Sequence, residues 1–442
     1  MVNDTTKLLG LEGVRVIGVD VWADGVPCVA LATADEAARH CPACGFLSTR
    51  AHSRVATRPR DVAVAGRRTE LIWHKRRWWC LEASCPRTTF TESIPQVPPR
   101  SRLTTRLREA LGADVGDRGR TVTQTGRDHG VSWPVVMGAV RRHAAGVLPQ
   151  KDPEVRALGI DETRRGKPRF RYDEVLEHWQ VVADTWHVGF VDLEGGAGLL
   201  GQVEGRTAAS VTAWIEAHDR EWRDKIAFVA IDMCQIFASA VRTALPHAKL
   251  AVDHFHVVQL ANKAVSEVRR RVTVQARGRR GRKGNREWEL RNRLTRSAAR
   301  TPGRLLDPMV DDLAALPPKI GQPILAAWNC KEDLMDLMAL MHTHPPRHEI
   351  YRRLENFYQS AADTGLPEMK ALAQTVSTWR NEIITAITTG ISNAASEGHN
   401  RVIKTDARNA YGYRNTDNQR LRTRLATTRR GRGCLKTTIK HA

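Results

Sequence analysis

The chain is 442 residues long, enough to bury more than one core and to hold two to four domains. Its 69 lysines and arginines against 48 acids leave a formal charge of +21 and a pI near 10.2, which favours a polyanionic partner. No segment approaches the ~20 apolar residues of a membrane span, and the N-terminus lacks a basic stretch followed by a long apolar one. Membrane insertion and export are therefore not expected, and the cytoplasm is the expected compartment.

Residues 1–30, including V-R-V-I-G-V-D-V-W, read as strands. Cys41 and Cys44 form C-P-A-C, Cys80 and Cys85 form C-L-E-A-S-C, and Cys28, Cys234, Cys330 and Cys434 are scattered. Two close pairs at this separation suit a tetrahedral structural zinc, so residues 1–95 are expected to be a strand-rich zinc-ribbon module. Two disulfides are the alternative, which a reducing cytoplasm disfavours. His40 and His52 are near enough in sequence to replace a cysteine. The basic run from Arg50 to Arg77 leads into Trp78 and Trp79; it suits phosphate contact, and a solvated charged face is the plainer account.

A proline-rich break, P-Q-V-P-P-R at 95–100, precedes a helical stretch over 100–148. There the pattern predicts a helix from about Thr121, a turn over Gly130–Ser132, and a second helix with Ser132 as cap and Pro134 in the first turn. This is the layout of a helix-turn-helix, whose second helix would enter the major groove, with Trp133, Met137 and Arg141 as candidates to face DNA. An ordinary helical hairpin competes with that reading.

Over 155–256 the apolar runs change period. A-L-G-I-D-E-T predicts a short strand delivering Asp161 at its end, and K-I-A-F-V-A-I-D-M predicts a central strand, apolar on both faces, delivering Asp232. The stretch R-R-G-K-P-R-F after Asp161 is more basic than an ordinary strand–strand turn. A-V-D-H-F-H is a third strand end, so Asp253 rivals Asp232 as a metal ligand; His254 and His256 either order the site or are simply packed. Residues 257–388 read helical, too long for an unstructured loop, and form an expected insertion. Its start, 263–304, carries fifteen Lys and Arg against three acids and reads as a flexible arm along phosphates. In 389–428, I-S-N-A-A-S-E-G-H-N predicts a helix capped by Ser392 and running towards Arg408, with Glu397 sharing a face with Asn393, Arg401, Lys404 and Arg408. Tyr411 and Tyr413 are available to stack on bases. Residues 429–442 read as a basic tail, with disorder the alternative beyond Arg430.

An acid at a strand end is usually a solvated boundary or a helix cap. What singles out Asp161, Asp232 and Glu397 is the set: two strand ends and one helix that can converge. The runs G-I-D-E, A-I-D-M, L-P-H-A-K-L-A-V-D-H-F-H-V-V, S-N-A-A-S-E-G-H-N-R-V-I-K and A-Y-G-Y-R-N together resemble the DDE transposases of bacterial insertion sequences, the ISL-three family, over nearly the whole chain. The resemblance implies an α/β multidomain fold: a zinc ribbon, a helix-turn-helix, and a ribonuclease-H-like mixed-sheet core interrupted by a helical insertion. It also implies Asp161, Asp232 and Glu397 as the catalytic acids holding Mg²⁺ or Mn²⁺, with double-stranded DNA, element ends and target, as substrate. A homodimer or larger synaptic assembly in a nucleoid-associated cytoplasmic protein is the further expectation. Two other classes compete: a catalytically silent DNA-binding regulator, and a metal-dependent nuclease without strand transfer.

Overall fold

The computed structural model describes residues 4–434. They divide into two compact units, one containing the residues through Gln150 and those from Asp406 onward, the other Lys151–Thr405. In the first, a short helix α1 (Asp4–Leu9) precedes strands β1 (Val14–Val21), β2 (Pro27–Thr33), β3 (Ala51–Thr57), β4 (Glu70–Trp79) and β5 (Thr89–Thr91). The sheet runs β1-β2-β4-β3 with β5 on β4, and β2 and β4 are parallel. One face closes on Leu9, Val14, Leu31, Leu71, Trp73 and Ile94, each fully buried apolar side chain contributing about 1.5–3 kcal/mol.

Three helices follow: α2 (Thr105–Gly116), α3 (Val122–Asp128) and α4 (Trp133–Val147). Thr104 and Thr121 cap the first two by accepting from the Leu107 and Gln124 amides, and Gly130 takes φ +63° in the turn before α4. Ser132 does precede α4 and Pro134 does sit in its first turn, but the serine hydroxyl makes no capping bond. Leu107, Leu111, Val115, Val136, Met137 and Val140 interlock in one core, which Leu425 completes from α16 (Thr416–Thr428). Asp61 accepts from Thr104 and Arg106, tying the helices to the sheet.

The second unit is built on a five-stranded sheet ordered β10-β9-β6-β11-β12: β6 (Ala157–Arg164), β9 (Trp186–Asp192), β10 (Leu199–Glu204), β11 (Phe228–Ile231) and β12 (Lys249–Val252). β9 is antiparallel to both neighbours, whereas β6, β11 and β12 run parallel. That order and sense are those of a ribonuclease-H-like core. The basic stretch after Asp161 is no simple turn: it starts a separate hairpin of β7 (Arg169–Asp173) and β8 (His178–Ala183), whose Phe170, Tyr172, Trp179 and Val181 are exposed. Helices α5 (Ala208–Glu216), α6 (Arg220–Asp224) and α7 (Gln235–Ala244) fill the connections between strands.

After β12 the chain is helical: α8 (His254–Arg277), α9 (Arg286–Glu289), α10 (Gly303–Ala314), α11 (Pro318–Met338), α12 (Arg347–Asp363), α13 (Pro367–Thr378) and α14 (Arg380–Thr389), then α15 (Ala394–Asn409). Their apolar stripes merge with the sheet's underside into one core. The expected flexible arm over 263–304 is instead folded. Leu290 and Leu294 are buried, and Glu287, fully enclosed, holds Arg277 through two hydrogen bonds of 2.7 and 3.2 Å. The sequence pattern hid this because Arg271, Arg277 and Arg286 of the run are paired with acids rather than solvated. The basic tail is likewise anchored as far as it is described: Arg429 Nε donates to the Gly116 carbonyl at 2.9 Å, and Arg432 pairs with Asp117. Residues 435–442 lie outside the described residues. No helix among the described residues is long and apolar enough to cross a membrane.

Candidate active site and DNA interface

Asp161 lies inside β6 rather than at its end, because β9 keeps pairing with β6 as far as Arg164. On its other side β6 pairs with β11 from Ala157 opposite Phe228 to Gly159 opposite Ala230. Carried forward, that register sets Asp232 beside Asp161. The β11–β12 register, ending with Ile231 opposite Val252, sets Asp253 beside Asp232 in turn. Three aspartates thus form one row where parallel strands end, the place where an α/β sheet leaves room for a ligand.

The three differ in what holds them. Asp253 is buried and caps α8, accepting from the Phe255 amide at 3.2 Å, with His254 Nδ1 3.3 Å from the same carboxylate oxygen. Asp232 lies 3.0 Å from His256 Nε2, one turn into that helix, and the Asp232 carboxylate holds the imidazole above its usual range. Asp161 accepts from the Glu162 amide and from Asn400 Nδ2, both at 2.6 Å. Burial first, and the Asp232 charge second, push its carboxyl up to about 7. A buried carboxylate whose charged form is disfavoured beside a second carboxylate is relieved by a nearby cation, so the pair fits a hard divalent ion.

That crowding has a measurable sign. The folded protein keeps the Asp161 proton up to about pH 7, whereas an unfolded chain releases it near pH ~4. The ionised form therefore costs stability as pH rises through that window. Without metal, Asp161→Asn should gain Tm relative to the wild type between about pH 5 and about pH 8, by a few degrees. A Tm difference that stays flat across those pH values would refute the raised Asp161 carboxyl.

Glu397 rides on α15, whose inner face is fastened to β6. Asn393 Nδ2 donates to the Ile160 carbonyl at 3.1 Å, Asn400 meets both Asp161 and Thr163, and Ile403 packs on Val191 and Leu199. The helix starts at Ala394, so Asn393 rather than Ser392 stands at its threshold. Gly159 permits this approach: a Cβ there would lie 2.7 Å from Leu193 Cδ2, 2.8 Å from Asn393 Oδ1, and against Ser396 Oγ. Glu397 itself is part-exposed and accepts from Arg401 Nη2 at 2.8 Å. Arg401, Lys404 and Arg408 are exposed on α15.

The zinc module closes on four sulfurs. The ligand atoms of Cys41, Cys44, Cys80 and Cys85 all lie within 4.8 Å of one another, with Cys41–Cys85 at 3.8 Å and Cys44–Cys80 at 3.5 Å. A tetrahedral thiolate zinc, with bonds of about 2.3 Å, needs sulfurs about 3.8 Å apart, and all eight cysteines are free thiols. Gly45 at φ +75° turns the first knuckle, and Trp78 and Phe90 pack beneath it. The histidines stand aside: His40 Nδ1 lies 3.2 Å from the Ala37 carbonyl, and His52 lies against Trp79. Cys41→Ser should release about one zinc per chain and unfold this module, because structural zinc binding is folding free energy. Metal analysis with far-UV dichroism measures it; undiminished zinc in the variant would exclude the four-thiol site.

On α4, Trp133 is 46% exposed and Arg141 is exposed, its Nη2 donating to Asn418 Oδ1 at 2.9 Å. Met137 is a correction: at 1% exposure it belongs to the core, because the spacing Val136, Met137, Val140, Ala144 is the stripe that packs on α2. Tyr413 is a second correction, since its hydroxyl bonds Asp406 and its ring lies under Arg422, whereas Tyr411 is fully exposed.

Comparison with known proteins agrees with this layout. A family model described as "Transposase", of the DDE ISL3 type, matches residues 158–423, more than half the chain. The chain belongs to the ISL3 transposase family. Residues 37–85 match the zinc-finger of transposase IS204/IS1001/IS1096/IS1165, and residues 92–144 match the helix-turn-helix domain of transposase family ISL3. The transposase for insertion sequence element IS1001 of Bordetella parapertussis is 24% identical over 394 residues, covering 87% of this chain and 88% of that protein. A solved Drosophila P element transposase strand transfer complex aligns over 74% of this chain and 93% of its own, at 9% identity and a TM-score of 0.39, too loose a likeness to define the fold.

Sequence reading of this transposase placed Asn393 beside Glu397 and His256 as a candidate to order the site, but missed Gly159 and Asn400 and did not join Asn393 to β6. The two asparagines had a signal: polar residues at helical spacing on a face that must meet a sheet need partners.

Proposed function

We propose that this ISL3 transposase binds the terminal inverted repeats of its insertion sequence and cuts and joins DNA strands at Asp161, Asp232 and Glu397. The observation that carries the reading is the placement of Asp161 beside Asp232 on adjacent parallel strands, where burial first and the Asp232 charge second raise the Asp161 carboxyl to about 7. Such strain has no structural use, and a pure DNA binder has no need of it. Two divalent cations, Mg²⁺ or Mn²⁺, would supply nucleophile activation and stabilisation of the leaving oxygen when bound there.

The chain's own residues do the rest. Asp161 and Asp232 are the principal ligands, and Asn400 fixes the rotamer of the first. His256 stands beside Asp232, whose carboxylate favours the charged imidazole, and a metal ion held by Asp232 would weaken that preference. Glu397 is paired with Arg401, and were it to exchange that partner for a metal ion the guanidinium would be free for a phosphate. Trp133, Arg141, Lys404 and Arg408 are the exposed candidates for DNA contact, and Met137 is withdrawn. Because strand transfer pairs two element ends, a homodimer or larger synaptic assembly is part of the proposal.

The test is cleavage of labelled DNA from the flanks of this reading frame, with Mg²⁺ and with a chelator. Cuts at defined positions that expose a 3′-hydroxyl, followed by joining to a second duplex, are expected with Mg²⁺ alone. Cleavage without joining would reduce the reading to a nuclease. Specific binding without cleavage, in Mg²⁺ and in Mn²⁺, would leave only a regulator.

A further inference from the structure

The second half of α8 and the loop after it wall an open cavity of about 710 Å³, lined by Arg269, Arg270, Arg271, Arg280, Trp288 and Glu368 among others. Its cations are not equivalent. Arg271 is neutralised by Glu368 through hydrogen bonds of 2.6 and 2.9 Å, and the cavity's other acid, Glu267, lies 3.8 Å from Lys263. Arg269 is different: it is only 7% exposed, and its Nε is sealed from solvent without an acceptor. Among the described residues its guanidinium has no hydrogen bond or ion pair. Burial and the like charges of Arg270 and Arg291 disfavour its charged form, with Glu287 alone opposing them. Arg270 and Arg280 line the same space, exposed and unpaired among the described residues.

A buried cation without a partner is costly and persists where something else requires it. Guanidinium groups present planar forks of donors that match the oxygens of a phosphate. We propose that this cavity, walled in part by the second half of the helix whose start is capped by Asp253, is a phosphate-binding site in which Arg269, Arg270 and Arg280 donate to one phosphate group. The phosphate belongs either to a DNA backbone or to a small phosphate-bearing molecule.

The full-length protein with Arg269→Met and Arg280→Gln separates these outcomes, and Arg280→Gln, at an exposed position, decides alone if the first variant does not fold. Thermal melts in inorganic phosphate, against chloride at equal ionic strength, should show a Tm increment in the wild type that Arg269→Met loses and Arg280→Gln reduces. General stabilisation by an excluded salt would act equally on all three proteins. Salt-dependent binding of duplex DNA then identifies the source. A DNA phosphate predicts that the slope of log K against log salt becomes shallower by about 0.9 in Arg269→Met. An unchanged slope with a lost phosphate increment assigns the site to a small molecule. Equal phosphate increments in the wild type and the folded variants would overturn the proposal. Neither readout involves strand cleavage, so the result stands apart from the catalytic assignment.

Discussion

Asp232→Ala should reduce Mg²⁺-dependent cleavage below about one-thousandth of wild type while leaving affinity for the element ends within about twofold. The separation follows from where the residue sits. Asp232 stands just past β11, whose Val229, Ala230 and Ile231 are fully buried and hold the strand whatever side chain follows. The carboxylate's own contact is His256, and removing the acid relieves Asp161 rather than stranding it. The variant should fold, with an Asp161 carboxyl nearer its ordinary value. Gel-shift binding beside cleavage on one DNA preparation measures both quantities. Parallel losses of binding and cleavage would mean that Asp232 supports structure, and the acidic site would have to be sought elsewhere.

The second large effect concerns a residue without a side chain. Gly159→Val should cost about a hundredfold or more in cleavage, because displacement of catalytic groups by about 1 Å can cost that much. A side chain there enters the space of Leu193, Asn393 and Ser396. β6 cannot retreat, being paired on both edges, so α15 must move and carry Asn400 off Asp161. Overpacking at such a contact also lowers stability by about 1–3 kcal/mol. Gly159→Ala should fall between the valine variant and the wild type. A valine variant that cleaves at the wild-type rate would show that the α15–β6 contact has no part in catalysis.

Much of this was legible in the sequence, and the failures have physical causes. Period-two and continuous apolar runs located β6, β11 and β12, and the cysteine spacing located a cluster whose four sulfurs do converge. Strand register was not legible: that Asp161, Asp232 and Asp253 fall in one row depends on pairings between strands far apart in the chain. Nor were their different surroundings, since the contacts of Asp253 with the Phe255 amide and His254 and of Asp232 with His256 depend on how α8 leaves the sheet. Met137 was misread because one turn of α4 offers both a core stripe and an exposed stripe, and the apolar residue belonged to the first. The basic run over 263–304 was misread because charge counts do not reveal pairing. Glu287 and Glu368, which fold that run, are respectively few and distant in sequence.

Two cores are closed by segments far along the chain from the residues that begin them. Asn400 and Ile403 seal α15 onto β6 and its neighbours, and Leu425 fills the helix-turn-helix core that Leu107 and Val136 began some 300 residues earlier. A product truncated before α15 therefore has its aspartates but neither a fixed Asp161 nor a finished DNA-reading domain. The two units thus share a dependence on α15 and α16, so a change confined to those helices is felt both at the aspartate row and in the helix-turn-helix core.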